Sequence, residues 1–431
     1  KLEELKEEDN PYNDPVAGTI LTIRQTELRL TASAIAALAT SGSSPAIRVP
    51  NAVNMHSAEL RDIEQFASRS DPRGERLLQQ AFKRLADGLL GDIDERLTRY
   101  VRDHADGVTI VSDAPLEWLR IDGVPLLIRN ETSRIGMTPG NLMMSECLEA
   151  GVVLVPDVAL HDVLIIRSFN DEDPIRTVLA KAVEAFGLKQ VRVQVRDVTS
   201  RDELIVALNE FQGAIVVFDC HGGHDGESGH GWLRIGREKV DTWELAHAGR
   251  IPPIVILSAC STFALAGSHA SVGNGLLRSG AVTVIGTFLP VDALRSAVFV
   301  ARVLHRIDSF LPAIREQGAD FVTWKTLIGS FFRMSYTTDL LSYFIKAKQW
   351  LQQDDFQDIA LQANYDINHL RRDWYTRLIG RLAKQSKRDP EEITRAIELE
   401  HPLFETMLYC QLGRPELIGI FVGDVDELRD R

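Results

Sequence analysis

Apolar positions along this chain of 431 residues follow three rhythms. Between about 58 and 104 they return every three or four residues (Leu77, Leu78, Phe82, Leu85, Leu89, Leu90), the spacing of an amphipathic helix. Residues 10–60 instead mix Gly, Ser and Pro with two β-favouring runs, Thr19–Ile23 and Glu27–Leu30, which predict short strands. From Val108 onward short continuous apolar runs dominate: Val108–Val111, Pro125–Ile128, Val152–Val155, Val163–Ile166, Val191–Val195, Ala214–Phe218, Ile254–Leu257 and Val282–Ile285. Helical stretches at about 174–187, 201–212 and 271–279 separate the later runs, with Pro174 near the first turn of its helix. Strands apolar on both faces and alternating with helices imply a mostly parallel sheet covered on both sides. After Asp292 the pattern is helical through 305 and, with interruptions, to about 400, and Leu417–Phe421 predicts a closing edge strand.

The fold class that follows is α/β, a sandwich with a mostly parallel central sheet. We divide the chain into an N-terminal segment 1–60, a smaller β/α part 61–160, a core 161–315, a helical insertion 316–404 and a closing strand with an acidic tail, 405–431. The charged run Lys1–Asp9 reads as the tail of a helix whose upstream part is missing, so 1–60 is expected to end a longer upstream module. Charge narrows the partners. With 48 Lys and Arg against 61 Asp and Glu, the net charge of −13 argues against a nucleic-acid backbone or an anionic membrane as the main partner. No stretch approaches the roughly 18 apolar residues needed to span a bilayer. Four scattered cysteines, Cys147, Cys220, Cys260 and Cys410, form no disulfide framework and predict a reducing, cytoplasmic setting.

In open α/β sheets ligands bind beyond the carboxyl ends of the strands. The run Ala214–Phe218 leads into Asp219-Cys-His-Gly-Gly-His224, and Ile254–Leu257 leads into Ser258-Ala-Cys-Ser-Thr262. A histidine and a cysteine at two strand ends suit a base and its nucleophile, because an imidazole lowers a thiol pKa from about 8.5 toward 3.5–7.5. Glycine after His221 lets a carbonyl approach the backbone, and the amides of Gly222 or Gly223 and of Cys260 can hold an oxyanion. Two blander readings stand beside this one: Cys260 as a small buried hydrophobe and His221 as a loop residue. A metal reading would gather Cys220, His221, His224 and Cys260, but the paired-ligand spacing of zinc sites is absent, so no metal and no cofactor is expected. Cys147, Cys220 and Cys410 read as core. There is no phosphate loop and no Gly-x-Ser-x-Gly elbow, and Gly273-Asn-Gly275 reads as a helix-start turn.

These residues resemble the CHAT domain peptidases, relatives of caspases and separases. The resemblance rests on Val216-Val-Phe-Asp-Cys-His-Gly222, Val255-Ile-Leu-Ser-Ala-Cys-Ser261, Gly280–Asp292 and Tyr409–Pro415, with Val108–Leu119 upstream, over about 60–310 and 405–422. It implies a caspase-like three-layer sandwich and a cysteine endopeptidase in which His221 is the general base, Cys260 the nucleophile and Gly222 an oxyanion donor. It further implies a specific protein substrate, encoded nearby, and an upstream sensor or activator module gating a role in bacterial defence or regulated cell death. The alternatives are a catalytically silent binding module of the same fold and a Cys/His metal-binding domain. The sequence departs from the family at Leu289, where tryptophan is frequent, and at Ala293, where an acid is frequent.

Those departures bear on what the enzyme cuts after. Asp292 and Asp219 are the candidate substrate-binding acids, with Asp225 also flanking the histidine, and no arginine stands close to either dyad residue in sequence. An acidic side chain would need guanidinium forks. A basic or neutral residue is therefore expected, unless Arg278 or Arg295 folds in. Asp292 reads equally as the N-cap of the following helix. The loops 222–231 and 261–270, with the insertion as a lid or docking element, are expected to gate access.

Overall fold

The computed structural model describes residues 14–69, 71–137, 151–225, 229–246, 248–259, 262–265 and 269–423; Lys1–Asp9, Cys147, Cys260 and the acidic tail from Asp424 lie outside the described residues. The chain forms two compact units, residues 1–48 with 138–150, and residues 49–137 with 151–431.

The described part of the first unit contains one long helix, Pro15–Ser41, and no strand at Thr19–Ile23 or Glu27–Leu30. Local signals explain the difference. Asp14 accepts hydrogen bonds from the amides of Val16 and Ala17, Pro15 sits in the first turn, and alanines crowd residues 32–39. The hydroxyls of Thr19, Thr22 and Thr26 donate to the carbonyls four residues back, so these β-branched residues fit the helix.

The second unit opens with the helical rhythm read from the sequence, split by caps into Ser57–Ala67, Pro72–Asp92 and Glu95–His104. Asp71 before Pro72 and Asp94 before Glu95 cap the later two helices, and Phe82, Leu85 and Leu89 are fully buried. The strands are β1 (Gly107–Val111), β2 (Arg120–Ile121), β3 (Val124–Pro125), β4 (Glu131–Ile135), β5 (Val153–Pro156), β6 (Asp162–Ser168), β7 (Arg192–Asp197) and β8 (Ile215–Cys220). They continue with β9 (Gly222–His224), β10 (Gly231–Ile235), β11 (Glu238–Asp241), β12 (Ile254–Ser258), β13 (Thr283–Thr287), β14 (Phe321–Thr323), β15 (Tyr409–Gly413) and β16 (Ile418–Phe421).

Eight of these make the central sheet, in the order β1-β4-β15-β13-β12-β8-β6-β7. Every neighbouring pair is parallel except β13 with β15. β8 and β13 are buried at every residue, which requires a helical layer on each face. The helices Val178–Phe186 and Ala293–Glu316 pack on each other. Asp308 on the second accepts the amides of Lys189, Gln190 and Val191 at 2.6–2.9 Å, tying that helix to the start of β7. The architecture is the α/β, caspase-like three-layer sandwich with a mostly parallel sheet.

Some local expectations are corrected. Pro125–Ile128 is not a strand: Pro125 ends β3 and Leu126–Arg129 forms one short helix. Pro174 precedes rather than starts its helix, which begins at Val178. Leu417–Phe421 does not close the main sheet, because β16 is the middle strand of a separate sheet, β14-β16-β5. The strand that joins the main sheet is β15, whose buried Gln411 hid it from an apolar-run criterion. β4 escaped notice for the same reason, since Thr132, Ser133 and Arg134 are polar yet buried. Residues 316–404 are mainly helical, with Trp324–Lys346, Asp355–Asn368, Trp374–Ser386 and Pro390–Glu400 following the short β14.

Candidate active site

β6, β8 and β12 are adjacent and parallel, so the loops leaving them emerge at the same end of the sheet. The strand order also reverses at β6, since β7 lies on one side of it and β8 on the other. Crevices of α/β folds open at such a reversal. His221 follows β8 at this point and is exposed. Its Nε2 lies 3.0 Å from Oδ2 of Asp173, in the loop after β6. Phe169 of the same loop meets the imidazole edge-on, with ring centroids 5.2 Å apart.

The β8/β12 register pairs Asp219 with Ser258, so His221 and Cys260 each stand two residues beyond that last pair in sequence. Cys260 itself is outside the described residues, but both flanks of its segment are anchored to Thr287 of β13. The Thr287 hydroxyl donates to the Ala259 carbonyl at 3.2 Å, and its amide donates to the Thr262 hydroxyl at 2.9 Å. The Phe263 amide then donates to the Thr287 carbonyl. The chain leaves β12 and returns to β13 within a few residues.

Gly222 opens β9 and pairs with Leu233 of β10. The Arg234 amide donates to the His221 carbonyl at 2.8 Å, so Gly222–Leu233 is a non-hydrogen-bonded pair and the Gly222 amide is directed away from β10. A donor facing away from its own ladder is what an oxyanion requires. Gly223 is glycine for a packing reason, because a Cβ there would come within 2.8 Å of the Trp232 indole.

The remaining candidates fall elsewhere. Asp219 is buried in the sheet; burial pushes its carboxyl up to about 7, against a hydrogen bond from Ser258. It lies beneath the crevice rather than lining an open pocket. Asp292 is the N-cap of Ala293–Glu316, accepting the Arg295 amide at 3.0 Å, the capping role read beside the pocket role. Leu289 is core. Asp225 bonds Trp232 Nε1 at 3.0 Å and Lys239 at 2.8 Å. Arg278 stacks on Trp243, whereas Arg295 pairs with Glu405 at 3.2 Å. Burial pushes the Glu405 carboxyl up to about 7, with Asp339 and Asp292 adding to it against Arg295.

Cys220 and Cys410 are fully buried, and burial pushes both thiols up, as the core reading expects. Among the described residues no group of three or more His, Cys, Asp or Glu side chains stands close enough to hold a metal ion.

Asp173 is the residue that sequence reasoning missed. The signal was weak: an acidic run, Asp171-Glu172-Asp173, follows the strand built on the apolar run Val163–Ile166, at the site's end of the sheet. Nothing in the sequence says which of the three faces the histidine. No curated protein matches the chain. Residues 167–316, from within β6 to the end of the helix Ala293–Glu316, match the family model of the CHAT domain, and this stretch includes both His221 and Cys260. Over those residues the chain is similar to the CHAT domain.

Proposed function

We propose that this protein is a cysteine endopeptidase that cleaves a specific protein partner under the control of a sensor module. CHAT domains are related to caspase-like cysteine peptidases. The observation that carries the reading is the β8/β12 register: two adjacent parallel strands run in step to the same edge, one continuing into His221 and the other into Cys260. In the reaction, His221 takes the thiol proton and the sulfur attacks the scissile carbonyl carbon. The carbonyl electron pair moves onto oxygen, where the amides of Gly222 and Cys260 receive it. Collapse breaks the C–N bond as the imidazolium returns its proton to the leaving amine. Water, deprotonated by the same imidazole, then hydrolyses the thioester.

The test is Cys260→Ala against wild type, incubated with proteins encoded next to the gene. Loss of all cleavage with binding retained supports the reading. Cleavage at the wild-type rate refutes it and leaves a binding module. Iodoacetamide supplies a second measure: Cys260 should label before the buried Cys220 and Cys410.

A further inference from the structure

We propose that Asp173 is the positioning residue of this site: it fixes His221 as the Nε2–H tautomer, so that Nδ1 is the nitrogen that takes the cysteine proton. The inference rests on the peptidase reading for the cysteine's part and on geometry for the rest.

Both oxygens of Asp173 are committed. Oδ1 accepts the amide of Ile175 at 3.0 Å, and Oδ2 faces Nε2 of His221 at 3.0 Å. An ionised carboxylate only accepts, so Nε2 must donate, and in the neutral ring the lone pair is left on Nδ1. Burial works to raise the Asp173 carboxyl, but the bonds from His221 and Ile175 outweigh it and hold the group below its ordinary value. At neutral pH it is the acceptor this argument needs.

The carboxylate is built in rather than incidental. Its side chain is 18% exposed, and its amide donates to the Asn170 carbonyl at 3.0 Å, closing a turn that Pro174 stiffens. The root of that turn is held as well. At the end of β6 the Ser168 hydroxyl donates to the Val198 carbonyl and accepts the Gly236 amide, each at 2.7 Å. Phe169, next along, packs on the imidazole with its ring perpendicular to it. The ring is therefore clamped by one loop, on the β6 side of β8, while β12 and the segment leading to Cys260 lie on the other side. A carboxylate beside the ring also favours imidazolium, and so favours the thiolate–imidazolium pair over the neutral one.

The experiment uses the full chain with 15N-labelled histidine, as wild type, Asp173→Asn and Asp173→Glu. Two-bond proton–nitrogen spectra read the tautomer of His221 in each. We expect Nε2–H in the wild type. In Asp173→Asn, whose amide can donate as well as accept, that preference should weaken and the Nδ1–H form should appear, and Asp173→Glu should restore Nε2–H. Iodoacetamide labelling of Cys260 near pH 6 should slow in step, about tenfold for each pH unit by which the thiol becomes harder to ionise. An Nδ1–H tautomer in the wild type overturns the proposal, and that spectrum needs no variant to fold. A tautomer ratio unchanged in a folded Asp173→Asn protein overturns it too. These readouts need no substrate, so they separate from the peptidase test. If Cys260→Ala still cuts, the peptidase reading falls and the tautomer still judges Asp173. If Cys260→Ala is dead while Asp173→Asn keeps the wild-type tautomer, only the positioning role falls.

Discussion

Behind the anchored loop sits a buried ion pair whose removal should be strongly non-additive. Arg134 of β4 and Glu117 have side chains 0% and 1% exposed. Nε and Nη2 of Arg134 donate to the two oxygens of Glu117 at 2.7 and 2.6 Å. Nη1 donates to the Ser112 carbonyl at 2.9 Å and Nη2 also to the Ala114 carbonyl at 2.8 Å. The guanidinium stacks on Phe263 and Phe288, and Phe263 belongs to the segment that carries Cys260 back to β13. Burial would lower the Arg134 pKa, but the Glu117 charge outweighs it and the pKa is raised. Glu117→Leu leaves a lone guanidinium in the core and should cost about 3–5 kcal/mol. Arg134→Met orphans the carboxylate and two carbonyls, each buried carbonyl adding about 1–3 kcal/mol, so it should be the worst. The double variant Glu117→Leu/Arg134→Met keeps only the carbonyl cost and should be more stable than Arg134→Met alone. Thermal and urea unfolding measure all three; at about 2.1 cal/mol/K of unfolding entropy per residue, a unit of this size shifts by about 1–1.5 °C per kcal/mol, so Glu117→Leu should melt at least ~3 °C lower. Added salt to 0.5 M should not narrow these gaps, because a dry pair is poorly screened. Single-variant costs that sum to the double's within about 0.5 kcal/mol would refute the reasoning.

Two further outcomes follow from the acids. Asp292→Ala should lower stability by roughly 0.5–2 kcal/mol with no change in the residues cleaved after, and Asp292→Asn should keep most of the cap; cleavage maps by mass spectrometry together with melting curves check both. Asp219 has a folded-state carboxyl near 7 against an unfolded value of about 3.9, so the folded form holds its proton more tightly. Stability from this group is therefore full below about pH 4 and is lost as pH rises through 7. Asp219→Asn should flatten the fall in melting temperature between pH 5 and 8, and a slope unchanged by the substitution would show that Asp219 ionises normally.

What the sequence disclosed about the fold depended on a single signal, continuous apolar strands alternating with helices. Where a strand is built on a continuous apolar run, as in β6, β8, β12 and β13, the run and the strand agree to within a residue or two. Where burial is achieved by pairing polar groups, the signal vanishes. β4 buries an arginine because Glu117 neutralises it, and Glu117 lies 17 residues earlier in the chain. No local pattern reports a partner at that distance. The helix Pro15–Ser41 failed for the opposite reason: its β-branched residues were read by propensity, while Asp14, Pro15 and the alanines decided the outcome.

The site divides along the same line. His221 and Cys260 were legible because each follows an apolar strand directly, so the strand that fixes its position also marks it in the sequence. Asp173 sits five residues beyond the end of β6, at the far side of a turn. Its meeting with His221 depends on β6 and β8 being neighbours, although β7 and its flanking helices intervene in the chain. A strand order is a property of the folded sheet, set by how right-handed crossovers pack helices on its faces. The proposed base and nucleophile thus stand on elements that announce themselves, while the group proposed to orient the base is supplied by topology. Asp219 shows the converse error. Its closeness to His221 in sequence suggested a pocket wall, yet its side chain is buried, paired with Ser258 on the neighbouring strand β12.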